Sequence, residues 1–167
     1  MLSRRFTFSE RRWPQTEEFT AVARRWNKNA LDILFGLVWR GYDLLYAEVL
    51  AGADWTDVAD DIERDLSEQL EPRIRRHMTG FEPFEVQHGR HEREQRLPAP
   101  AQPPQYDIAF YLRQQPRVML PLEAKVLHSD KSTASYIRDV KQEFLTCRYA
   151  PFSAEAGMLA YLVKGVP

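Results

Sequence analysis

The sequence predicts an α/β protein, with an N-terminal helical extension followed by an α-β-β-β-α-β core around a mixed four-stranded sheet. Three observations carry this. Apolar residues recur at three- and four-residue spacing through the first half of the chain. After Gly80 the texture changes to short strand-like runs bounded by Gly and Pro. A helical run at about 133–148 separates the last two strand-like runs and is long enough to cross over between parallel strands.

Arg4, Arg5, Arg11 and Arg12 lie among aromatics in residues 1–13, which reads as a loosely held arm. Pro14 suits the first turn of a short helix over 14–27. A longer helix is expected at about 29–50, where Leu31, Leu34, Phe35, Val38, Tyr42, Leu45 and Val49 repeat on one side. Ile33, Leu37 and Trp39 widen that stripe nearly all round, so the helix needs cover from the 14–27 helix and the core, or from a second subunit. Gly52 suits its end. Thr56 suits the N-cap of a helix over about 57–78, with Val58, Ile62, Leu66, Leu70 and Ile74 on one face and Pro72 as a kink or an early stop.

Strands follow at about 84–88, 106–112 and 117–127, the last two joined by the hairpin-sized Arg113-Gln114-Gln115-Pro116. Residues 89–105 are polar and Pro-rich and read as a mobile loop. Ser129 to Ser132 read as a turn, and GMLAYLV at 157–163 as a short buried strand. The organisation is thus an N-terminal arm and helices over 1–55 and a core over 56–167.

Composition narrows the function. The chain has 167 residues, with 23 Lys and Arg against 24 Asp and Glu, a formal net charge of −1. That disfavours a coat protein for nucleic acid and leaves room for a local basic groove. The single Cys147 excludes an intramolecular disulfide framework and points to the cytoplasm. MLSRRFTFSERRW lacks the apolar core of a signal peptide. ALDILFGLVW at 30–39 is too short to span a bilayer and contains Asp32, so no membrane partner is expected.

The stretch PLEAKVL at 121–127 places a carboxylate and an amine inside an apolar strand. Buried charge costs stability unless it is paired or coordinated. Strand alternation puts Glu123 and Lys125 on one face and Leu122, Ala124 and Val126 on the other. Pairing through the 113–116 turn brings Asp107 opposite roughly 122–124. Two neighbouring carboxylates repel unless a proton or cation intervenes, and hard divalent cations prefer such oxygens. The plain alternative is a surface Glu–Lys pair on an exposed sheet face with an unrelated Asp.

The order "YD", then "EAK" on the next strand, resembles the PD-(D/E)XK nuclease superfamily, the restriction-endonuclease-like fold. EAKVL…YIRDVKQEFLTCRYAPFSAEAGMLAYL is similar to bacterial members found around phage-defence genes, and the likeness covers about residues 57–163. Gln105-Tyr106 stand where the family usually has Pro or Glu before the Asp. The resemblance implies that Asp107 and Glu123 bind one or two Mg²⁺, with Mn²⁺ able to substitute, and that the backbone carbonyl of Ala124 joins them. It implies that Lys125 orients or helps deprotonate the attacking water in phosphodiester hydrolysis, with DNA ahead of RNA as substrate. It also implies an acid on the first core helix. Helical phase favours Glu63, on the flank of the Leu66/Leu70/Ile74 stripe, over Asp60, and Asp61 points away.

Lys141, Gln142 and Arg148 on the second core helix, and Arg93 in the loop, are candidates for phosphate contacts. Two further basic clusters, Arg73/Arg75/Arg76/His77 and Arg90/His91/Arg93/Arg96, could line a groove, but each fits an ordinary solvated surface better, and Glu92 and Glu94 interleave with the second. His88 and His91 have a metal-like spacing, but no further ligand pair supports zinc. His128 follows the EAK strand and could touch a substrate, though a histidine so placed more often simply sits in a loop. The expected partners are nucleic acid and a second copy or partner protein. A catalytically inactive interaction module on the same fold is the alternative.

Overall fold

The computed structural model describes residues 17–53, 61–92, 103–127, 130–145 and 155–162. Helix α1 (Glu17–Glu48) is followed by a short 3-10 turn at Leu50–Gly52 and by α2 (Ile62–Arg76). Strands β1 (Phe84–His91), β2 (Gln105–Leu112) and β3 (Met119–Leu127) come next, then α3 (Asp130–Asp139) and β4 (Gly157–Leu162). The four strands form one sheet in the order β1-β2-β3-β4. β1 pairs antiparallel with β2, and β2 with β3, while β4 lies parallel to β3. The α3 crossover joins the parallel pair, and that helical run is long enough to carry it.

Where two helices were expected over 14–27 and 29–50, one helix runs unbroken from Glu17 to Glu48. Asn27-Lys28-Asn29 reads as a break, but neither Gly nor Pro stands there, and Asn costs a helix only a few tenths of a kcal/mol. The N-terminal turns therefore continue the same rod and do not wrap its second half. Leu34, Leu37, Val38 and Leu45 are buried, while Ile33 and Trp39 stay open at 56% and 67% exposure. Burying a leucine of this kind contributes about 1.5–3 kcal/mol, and these four face the same apolar core as the sheet.

α2 keeps the predicted face, with Leu66, Leu70 and Ile74 buried, and Ser67 buried beside them. Pro72 is accommodated inside the helix. Gly41 marks the crossing of α1 and α2: a Cβ there would lie 2.7 Å from Ile74 Cγ1 and 2.9 Å from its backbone nitrogen. Arg73 and Arg76 both bond Glu48 across this crossing, at 3.0 and 2.6 Å. Arg75 bonds Glu71 on its own helix and Glu85 on β1 at 3.1 Å.

β1 runs to His91, three residues past its expected end, and β2 begins at Gln105, so both strands reach into the segment expected as loop. Residues 93–102 lie outside the described residues. The expected turn at Ser129–Ser132 is instead the start of α3 at Asp130: an Asp at a helix start suits the dipole. Thr56 and Pro14 also lie outside the described residues.

Pro121 lies in an interior strand, where a missing N–H usually breaks a ladder. In β3 the N–H groups of Ala124 and Val126 point to the β2 side, so Pro121 presents its bare nitrogen to the other side. There β4 pairing begins only at Leu122 opposite Gly157, one residue later. Gly157 packs closely at that contact: a Cβ would come within 2.5 Å of Leu122 Cδ2, so the leucine would have to shift. None of the helices among the described residues is long and apolar enough to cross a membrane.

Candidate active site at the fork of β2 and β3

The β2–β3 ladder runs from Tyr111 opposite Met119 to Ile108 opposite Leu122 and stops there. The same register continued by one step sets Asp107 across from Glu123, as counting from the turn predicted. Beyond Leu122 the β2-facing edge of β3 is taken up by carboxylates. Asp107 Oδ2 accepts the Ala124 N–H at 2.6 Å. Glu63 Oε2, from the first turn of α2, accepts the Val126 N–H at 3.0 Å. Open strand amides are strong donors, and a charged acceptor suits them better than a neutral one.

Lys125 sits between these two amides in sequence. Its Nζ lies 3.1 Å from Asp139 Oδ2 on α3 and 4.0 Å from Glu63 Oε2. Asp139 Oδ1 faces Arg138 Nε at 3.8 Å. Burial pulls the Lys125 amine down, but the Asp139 hydrogen bond and the charges of Glu63, Asp139 and Glu123 outweigh it, so the amine lies above the ordinary lysine value. Lys125 therefore stays an ammonium at neutral pH.

Asp107 behaves oppositely. Burial raises its carboxyl to about 6; the Ala124 N–H and the Lys125 charge oppose that rise, and the Glu63 charge adds to it. Tyr161 on β4 lies close to the same centre. Its ring is buried, its hydroxyl is 3.4 Å from Ser67 Oγ, and burial together with the Asp107 and Glu63 charges pushes the phenol well above the usual tyrosine range.

The structure thus brings Asp107, Ala124, Lys125 and Glu63 together, with Glu123 half-buried beside them on β3. Lys141 and Gln142 are exposed on the turn that follows α3. Arg93, Arg148, Asp60 and His128 lie outside the described residues. The arginines of the α2 cluster carry carboxylate partners. Arg90 lies 3.7 Å over the Tyr111 ring and bonds the Pro116 carbonyl at 2.9 Å. His91 Nδ1 is 3.4 Å from the Pro103 carbonyl. Among the described residues no three His, Cys, Asp or Glu side chains converge into a ready-made metal cage.

Sequence reasoning did not single out Asp139, Ser67 or Tyr161. Signals existed for two of the three. Ser67 is a lone hydroxyl inside the Leu66/Leu70/Ile74 stripe, and Asp139 is an acid on a crossover helix that must pack near β3. No family model, curated protein or solved structure matches this chain.

Proposed function

We propose that the chain is a metal-dependent nuclease of the PD-(D/E)XK type, hydrolysing phosphodiester bonds in nucleic acid on a restriction-endonuclease-like core. One observation carries the reading: the Asp107 carboxylate docks on the amide at the centre of Glu123-Ala124-Lys125, and Glu63 docks on the next outward-facing amide of the same strand. Glu63, Asp107, Glu123 and Asp139 lie about the Lys125 ammonium, with Arg138 beside Asp139, and this excess of negative charge favours a cation. Mg²⁺ needs no closed protein cage, because it binds through one or two carboxylates with waters and substrate phosphate. Asp107 and Glu123 would hold it, with the Ala124 carbonyl, and Mn²⁺ would substitute.

The bound ion would polarise the scissile phosphate and steady the charge of the transition state. The chain's own residues do the rest. Glu63 sets the lysine side of the fork. Lys125, held charged, orients the attacking water or a phosphate oxygen and does not act as a base. Lys141 and Gln142, with Arg93 and Arg148, extend the phosphate contacts. A role in phage defence, DNA in preference to RNA, and a cytoplasmic setting belong to the same reading and rest on the sequence. The open Ile33, Trp39 and Tyr46 side chains of α1 favour a second subunit or partner protein.

A non-enzymatic interaction module is the second reading. It is favoured by the mutual satisfaction of Lys125, Asp139 and Glu63, a network that holds without any ligand. Incubating plasmid, single-stranded DNA and RNA with the protein, with Mg²⁺, Mn²⁺ or chelator, separates the two. The nuclease reading expects metal-dependent cleavage that Lys125→Ala abolishes. Intact substrates throughout, with no divalent metal bound even in the presence of nucleic acid, would leave the module reading in its place.

A further inference from the structure

We propose that Asp139 is a positioning residue: its carboxylate holds the Lys125 ammonium over the fork, where it meets the water or phosphate oxygen. This rests on the nuclease reading above. A lysine side chain is long and rotamer-rich, and left alone it samples many positions. Two anions bound its range here, Asp139 Oδ2 at 3.1 Å and Glu63 Oε2 at 4.0 Å. The nearer one comes from α3, the element that crosses over to β4, and not from the strand that carries the lysine.

A second observation concerns the backbone at that point. Asp139 is the last α-helical residue of α3; the next turn, Val140–Phe144, is π-helical, with the Leu145 N–H bonded to the Val140 carbonyl at 3.2 Å. A π turn adds a residue to the helical repeat, so positions beyond it are rotated relative to a plain α-helix, and such turns recur at functional sites. Asp139 thus keeps its place toward β3 while the chain beyond it takes a new phase. The second oxygen of Asp139 faces the exposed Arg138 at 3.8 Å, a looser ion pair on the outer side. Both partners of the Lys125–Asp139 pair are partly exposed, at 33% and 25%, and pairs this open add little to stability.

The test reads position and chemistry separately. Side-chain relaxation by NMR at the Lys125 ε-methylene should show an ordered group in the wild type and a mobile one in Asp139→Asn. In a Mg²⁺-dependent nicking assay, Asp139→Asn should lose about 10–100-fold in kcat, the scale of a misplaced group, with KM and Mn²⁺ binding within twofold, and Asp139→Glu should recover part of it. An ε-methylene equally ordered in both proteins overturns the proposal, and so does undiminished cleavage by Asp139→Asn. If wild type and Lys125→Ala both leave DNA intact, the nuclease reading fails on its own, and the relaxation measurement still decides whether Asp139 fixes the lysine.

Discussion

Asp107 accepts the Ala124 N–H at 2.6 Å, one step beyond the last rung that joins β2 to β3. This single bond ties the carboxylate of one strand into the Glu-Ala-Lys run of the next. It also holds an acid where burial makes its charge costly.

That cost gives a pH dependence. Asp107 is raised to about 6 in the folded chain, mainly by burial. The folded state therefore binds this proton more tightly than the unfolded state does. The stability it contributes is complete below the unfolded value and is lost as pH rises through about 6. The loss is on the order of 2–3 kcal/mol. Urea unfolding of wild type and Asp107→Asn between pH 4 and 7 checks this. The difference between the two proteins should shift in favour of the Asn variant as pH rises, and a constant difference contradicts it.

Neighbouring charges should move the same titration in opposite directions. Glu63→Gln removes a repelling charge and should lower the Asp107 value, while Lys125→Met removes an attracting one and should raise it. Carbon-13 NMR of the Asp107 carboxyl follows both. Burial remains in each variant, so neither should return Asp107 to the ordinary aspartate range.

The three strand residues should fail differently under the nuclease reading. Asp107→Ala or Glu123→Ala should lose both Mn²⁺ binding and cleavage, since few protein oxygens hold the ion. Lys125→Ala should lose about 10²–10³ in rate, the scale of one missing transition-state charge contact, and bind the ion as well as before or slightly better. Calorimetry with Mn²⁺ beside a nicking assay makes the comparison. Loss of metal binding by Lys125→Ala alone would reverse the assigned roles.

Two glycines of α1 should respond with opposite sign. Gly36→Ala meets nothing within 4 Å and should stabilise the helix by about 0.5–1 kcal/mol. Gly41→Ala gains the same propensity, but its Cβ meets Ile74 backbone nitrogen at 2.9 Å, and overpacking of this kind costs about 1–3 kcal/mol. Thermal unfolding should show a higher midpoint for the first and a lower one for the second.

The elements that could be read from the sequence were those with strong local periodicity. The Leu66/Leu70/Ile74 stripe and the alternation of β2 and β3 set both the helix and the hairpin register. The resemblance implied an acid on the first core helix, helical phase chose Glu63 among the candidates, and Glu63 does reach β3. The continuity of α1 was not legible, because a polar Asn-Lys-Asn step looks like a boundary while costing the helix little. The β1 end was missed because Gly89, with φ of 67°, and the polar residues around it resemble loop chemistry, while cross-strand bonds from Arg90 opposite Tyr106 keep them in the sheet. Asp139 carried a signal as an acid on the crossover helix, but its contact with Lys125 depends on how α3 lies against β3, a long-range fact.

The fork itself has a cost in handling. Ala124 and Val126 offer their amides on the side where β2 would have continued, and each can satisfy one acceptor at a time. Truncation of Asp107 or Glu63, or a ligand that draws those carboxylates away, leaves these two amides as unpaired strand edge, a template for a neighbouring chain. Closing β2 onto β3 by one more rung would do the reverse, silencing the centre with every acid still present. Losing the carboxylates at this fork should therefore also favour self-association, and the Asp107→Ala and Glu63→Ala variants are those to keep dilute.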